Sequence, residues 1–143
     1  MNPEKVILLA EDNSDEIELI KRMFEKNRIQ NKLEVIQEGN EVLDYLFHRN
    51  NFTIQDYPMP SLVLLDLKMP KVDGLEILQE IRDNRKTAYL PVFILISHIS
   101  EKKLIRESQL RVEGFIQKPI TLKRLKKAVN KIDFSLDFGK QTP

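Results

Sequence analysis

Five short runs of consecutive apolar residues, each followed by a segment whose apolar side chains recur every three or four positions, leave this chain few folds to choose from. The runs fall at 5–10, 33–37, 62–66, 91–97 and 114–117, and the first, third and fourth are apolar almost throughout, as in strands covered on both faces. Between them, Ile17, Ile20, Met23 and Phe24 form one helical stripe, and Val42, Leu43, Leu46 and Phe47 a second within 40–49. Leu75, Leu78 and Ile81 follow Gly74, a polar helix runs from Ser100 to about Leu110, and the last helix carries Leu122, Leu125, Ala128, Val129 and Ile132. Helix starts are marked by Asn13, with Glu16 as its reciprocal capping partner, by Ser100 and by Thr121. Strict alternation predicts an α/β domain with a doubly wound five-stranded parallel sheet, helices on both faces and right-handed crossovers. At 143 residues the chain suits one domain, expected over residues 1–133, with a flexible C-terminal tail at 134–143.

Composition narrows the chemistry. The absence of cysteine removes disulfides, thiolate metal sites and cysteine nucleophiles, and two histidines fifty positions apart make a poor zinc site. No apolar run approaches the ~20 residues that span a bilayer, and the first five residues lack the features of a secretion signal. The expected location is therefore cytoplasmic, with no membrane partner. The net charge of +1 conceals an acidic start, six acids against one lysine in residues 1–20. It also conceals a basic end, ten Lys and Arg against three acids in residues 101–131. The basic last helix reads as a solvated face, and no nucleic-acid partner is expected.

In an open parallel sheet, ligands bind beyond the carboxyl ends of the strands, where strand order reverses. Here the first strand ends in Glu11-Asp12, the third in Asp66, the fourth in Ser97 and the fifth in Lys118-Pro119. Two like charges about 4 Å apart repel by roughly 4 kcal/mol at an effective dielectric of 20, so three converging carboxylates require a cation or raised pKa values. A hard divalent ion with oxygen ligands answers that requirement, and Mg²⁺ is the usual one beside phosphate. Ser97 supplies a hydroxyl and Lys118 a point charge, both suited to phosphoryl oxygens. The set describes phosphoryl transfer onto a carboxylate. A flavin-binding reading fails because the acidic run from Glu11 to Glu16 would repel the cofactor's phosphate. An aspartyl phosphatase would carry a second acid two places after its nucleophile, where this chain has Lys68.

These motifs resemble the receiver domain of two-component response regulators. The resemblance rests on residues 7–13, on 62–66 followed by Met69-Pro70 and Asp73-Gly74, and on Phe115 through Lys118-Pro119. It implies the flavodoxin-like strand order 2-1-3-4-5 and a phosphoacceptor at Asp66. It also implies Mg²⁺ held by Asp12, Asp66, the backbone carbonyl of Lys68 and, through water, Glu11. Ser97 and Lys118 would contact the phosphoryl group, and Ser97 and Phe115 would form the switch. The implied function is a stand-alone response regulator of a phosphorelay, phosphorylated by a sensor histidine kinase or phosphotransfer protein and acting on a downstream protein. Such a chain catalyses only its own phosphotransfer and slow dephosphorylation. A weak homodimer is expected through the face of the fourth helix, fifth strand and fifth helix, with Glu101, Glu107 and Glu113 pairing across it. The long connection at 50–61 and the Tyr45-Leu46-Phe47 run resemble the single-domain regulators associated with phytochromes. The alternative is a degenerate receiver that binds partners independently of phosphate. His98 after Ser97, and Lys68 two places after Asp66, depart from the family pattern: the His98 ring is either solvent-exposed or a lid over the phosphoryl site, and Lys68 adds a positive charge beside the acids.

Overall fold

Apolar residues alternate between the two faces of one sheet, and that alternation builds two separate cores. The computed structural model describes residues 5–69 and 72–139; residues 1–4 of the expected domain, Pro70 of the Met69-Pro70 pair and 140–143 of the expected tail lie outside these. The chain runs β1 (Ile7–Ala10), α1 (Ser14–Lys26), β2 (Leu33–Ile36), α2 (Gly39–Leu46), β3 (Leu62–Asp66), α3 (Gly74–Asp83) and β4 (Val92–Ile96). A 3-10 turn (Ile99–Glu101) then leads into α4 (Lys102–Ser108), β5 (Gly114–Gln117) and α5 (Leu122–Val129). The five strands are parallel in the order β2-β1-β3-β4-β5.

On one face, Leu8, Ala10, Val63, Leu65, Val92, Ile94 and Ile96 pack with α2, α3 and Ile105 of α4. On the other, Ile7, Leu9, Leu62, Leu64, Phe93, Leu95 and Ile116 pack with Ile17, Ile20 and Phe24 of α1 and Leu125, Ala128 and Val129 of α5. This division follows from right-handed crossovers: the chain steps one way from β1 to β2 and the other way from β2 through β5, so α1 falls opposite α2, α3 and α4. The connection between α2 and β3 is packed by its own rings, with Tyr45, Phe52 and Tyr57 centroids 4.9–5.6 Å apart. The buried Tyr45 hydroxyl donates to the Pro58 carbonyl at 3.2 Å.

Two caps differ from expectation. Asn13 does cap α1, its Oδ1 accepting from the Asp15 and Glu16 N–H groups at 3.0 and 3.1 Å, but the reciprocal acceptor is Glu11. Glu11 Oε1 takes the Asn13 N–H at 3.2 Å, and the Glu16 side chain is directed elsewhere. Ser100 does not cap the fourth helix and lies inside the 3-10 turn. Glu101 Oε2 instead reaches back to the N–H groups of Ser97 (2.6 Å) and His98 (2.9 Å), a charged acceptor that binds both more strongly than a neutral hydroxyl would. Thr121 caps α5 as expected, accepting the Arg124 N–H at 3.2 Å.

The segment from Phe134, read from composition as loose, is docked through Gly139. Phe134 is buried in the α1–α5 core, and Phe138 bridges antiparallel to Ile29. Backbone bonds join Gln30 N–H to Asp137 O (2.6 Å) and Gly139 N–H to Arg28 O (3.0 Å). The apolar Phe134, Leu136 and Phe138 outweigh the polar composition around them. No helix among the described residues is long and apolar enough to cross a membrane.

Gly74 is required by close approach. A Cβ there would stand 2.5 Å from Leu67 Cα and 2.9 Å from Leu67 O, and the Gly74 N–H bonds that same carbonyl at 3.2 Å. The start of α3 is thereby pressed against the residue after Asp66. Gly74→Ala should lower the free energy of unfolding by about 1–3 kcal/mol, the range for overpacking a close contact, read from the midpoint of urea denaturation.

Candidate functional site

Strand register delivers the site. Ala10 is level with Leu65, Asp66 with Leu95, and Ile96 with Gln117. The next residues, Glu11-Asp12, Ser97 and Lys118, therefore emerge with Asp66 along one edge, and the order reverses between β1 and β3 at that edge. Two loop bonds hold the edge: Glu11 N–H to Ile36 O at 3.1 Å and Lys118 N–H to Ile96 O at 2.8 Å.

Glu11, Asp12 and Asp66 each offer a carboxylate oxygen within 4.8 Å of the others. Lys118 stands against them, its Nζ 2.9 Å from Asp66 Oδ2 and 3.0 Å from Glu11 Oε2. A third carboxylate, Glu16, approaches the same ammonium at 2.8 Å. The Asp66 contact is an aligned hydrogen bond, whereas the Oε2 atoms of Glu11 and Glu16 are buried at ion-pair distance without one. Asp66 Oδ1 accepts the backbone N–H of Lys68 at 3.0 Å. Three converging hard oxygen donors fit an oxygen-ligated divalent cation.

The electrostatics reflect the crowding. Burial pushes the Glu11 carboxyl up to about 8; contact with Lys118 opposes the rise, and Asp66 and Glu16 add to it. Burial opposes the Lys118 charge, but its contacts with Asp66, Glu16 and Glu11 outweigh that cost and hold the ammonium above its ordinary value. At the neighbouring loop, burial would raise Glu101, and the N–H donors of His98 and Ser97 with the Lys68 ammonium hold it low.

Of the residues singled out in the sequence, Glu11, Asp12, Asp66 and Lys118 converge directly. Ser97 joins Glu11, Glu16 and Lys118 around a cavity of about 270 Å³ walled by Leu19, Ile20, Pro119 and Ile120. Phe115 does not line that cavity. It lies half-buried on the β5 edge under the Lys102 ammonium, 5.3 Å from the ring centroid, beside a second cavity of about 250 Å³ between α4 and α5. Lys68 places its ammonium 3.0 Å from Glu101 Oε1, and His98 is exposed with its N–H on the same carboxylate. The acids expected to pair across a dimer are engaged within the chain: Glu101 with Lys68, Glu107 with Lys103, and Glu113 with Arg82 and Arg111. Sequence reasoning missed Glu16 and Glu101 as partners of the site. The available signal for Glu16 was its place on the first turn of α1, beside the core-facing Ile17 and four residues after Asp12.

An open parallel sheet carrying an acidic cluster and a lysine at its switch point defines a class of α/β domain. Within it, residues 7–130 match the model of the response regulator receiver domain, and the chain belongs to that family. It is 33% identical over 132 residues to the response regulator Rcp1 of Synechocystis sp., covering 92% of this chain and 88% of the relative. The structure of the bacteriophytochrome response regulator AtBRR superposes with a TM-score of 0.89 at 34% identity, covering 98% of this chain and all of that one. The Mn²⁺-bound form of Rcp1 superposes with a TM-score of 0.73 at 29% identity, over 93% of this chain and 99% of that one.

The raised Glu11 carboxyl has a definite signature. Between about 4.5 and 8 the folded protein retains a proton that the unfolded chain releases, so this group's contribution to stability falls as pH rises through that window. Without divalent cation, urea unfolding from pH 5 to 8 should show a declining stability in the wild type, with a limiting slope of about 1.4 kcal/mol per pH unit for one proton. The decline should be absent from the difference curve's Glu11→Gln arm.

Proposed function

We propose that this protein is a phosphorylation-driven binding switch whose phosphoacceptor is Asp66. The observation that carries the reading is the Lys118 ammonium 2.9 Å from Asp66 Oδ2, in a site where Glu11 and Asp12 complete a three-acid cluster. An Asp66 carboxylate oxygen attacks the phosphorus of a phosphohistidine; the P–N bond breaks, its electron pair returns to the imidazole, and an aspartyl phosphate forms. Lys118 holds the transferred oxygens in a partly buried setting, where a fixed charge acts more strongly than in water. Asp12 and Asp66, with the Lys68 carbonyl and Glu11 through water, would hold Mg²⁺, which when bound neutralises charge on the phosphoryl oxygens. Ser97 lies across the same cavity as a hydroxyl donor. Retention of every acid together with Lys118 argues against a phosphate-independent module.

The donor in this reading is a cytoplasmic histidine kinase or phosphotransfer protein, as for other members of the family. The output passes to a downstream protein through the face of α4, β5 and α5, with Ser97 and Phe115 as the moving side chains. Incubation with Mg²⁺ and phosphoramidate should add one phosphoryl group by intact mass. The adduct should vanish in Asp66→Asn and in chelator; label that persists in either would overturn the assignment. Self-association through the output face should be weak, because its acids are already paired within the chain and exposed pairs contribute only about 0–1 kcal/mol each. Sedimentation with beryllofluoride and Mg²⁺ should show at most a modest, salt-sensitive rise in mass.

A further inference from the structure

One ammonium, that of Lys118, faces three carboxylates, Asp66 through a hydrogen bond and Glu11 and Glu16 at ion-pair distance. Asp66 stands at 2.9 Å, Glu11 at 3.0 Å and Glu16, the nearest, at 2.8 Å. Two of these acids belong to the cluster whose oxygens converge within 4.8 Å; Glu16 does not. Its charge is therefore not among those that a divalent cation held by the cluster would offset directly. Its side chain is 32% exposed against 1% for Glu11 and 8% for Asp66, although the Oε2 atom that faces the ammonium is itself buried. Rotation of this partly exposed side chain would return its carboxylate to water at lower cost than for either neighbour. It further borders the cavity that Ser97 and Lys118 line.

We propose that Glu16 is a resident counter-anion on Lys118, a positioning residue that an incoming phosphoryl group must displace or outcompete, and that it thereby slows and weakens phosphoryl capture at Asp66. The inference rests on the phosphoacceptor reading given above. Two effects of Glu16 oppose one another: its oxygen orients the lysine, and its charge repels an anion arriving at the same cation. The charge acts in a partly buried site with few counter-ions, and the orienting role is shared with Glu11 and Asp66, so the repulsion dominates. Glu16→Gln keeps an oxygen acceptor of the same length and removes the charge, and Glu16→Ala removes both.

Phosphorylation of the full chain by phosphoramidate at saturating Mg²⁺, with the cation's affinity measured separately by calorimetry, tests the inference. In Glu16→Gln the rate at low donor concentration should rise at least fivefold, through the half-saturating concentration more than the limiting rate. Beryllofluoride should also bind more tightly. Both gains should shrink as salt is raised, because screening weakens the repulsion in the wild type. A merely structural role would leave that salt dependence unchanged. Glu16→Ala should be faster than the wild type and no faster than Glu16→Gln. An unchanged or slower Glu16→Gln whose thermal midpoint matches the wild type would overturn the proposal while leaving the phosphoacceptor assignment standing. Failure of the wild type itself to take phosphoryl or beryllofluoride would overturn both.

Discussion

One ammonium among four carboxylates governs this molecule. Lys118 touches Glu11, Glu16 and Asp66, and Asp12 lies in the same cluster. Removing so many like charges from water is unfavourable unless a cation sits among them, and Lys118 is the cation the chain itself supplies. It reaches that position only because β5 pairs with β4, β4 with β3, and β3 with β1, each in the one register that brings their last residues level. A slip of one residue in any of these pairings would turn a charged end residue toward a core. The two apolar layers that fix the register are thus as much a part of the site as its acids.

Much of this arrangement was legible in the sequence because a strand buried on both faces announces its own end. The apolar runs closing at Ala10, Leu65 and Ile96 stop abruptly, so the polar residue that follows each is placed without knowledge of tertiary contacts. Glu16 was not legible in that way. An acid three residues after a helix cap is an ordinary capping partner, and only the approach of β5 from 102 residues further along reassigns it to Lys118. The same holds for the tail, where Phe134 and Phe138 find Ile29 and its surroundings only once α1 and α5 lie side by side.

The site and the α4–β5–α5 surface are joined by a short length of chain. Phe115 and Lys118 are separated by one buried residue, Ile116, and the exposed Gln117, yet they serve different cavities, one at the sheet's outer edge and one beyond the strand ends. The outer cavity is bordered by Lys102, Arg124, Lys127 and Lys131 with no carboxylate among its lining residues, in contrast to the acid-rich inner one. The uneven charge along the sequence is therefore a spatial division: anions collect around the acidic cluster beyond the strand ends and cations beside β5.

Glu101 gives the two loops beside the site a common mechanical fate. One oxygen of its carboxylate receives the N–H groups of Ser97 and His98, and the other faces the Lys68 ammonium. The peptide chain just after Asp66 and the peptide chain just after β4 are thereby strapped to a single side chain at the root of α4. The two holds differ in stiffness: the loop after β4 is tied by two short backbone bonds, whereas the loop after Asp66 is tethered through the long, 68% exposed side chain of Lys68.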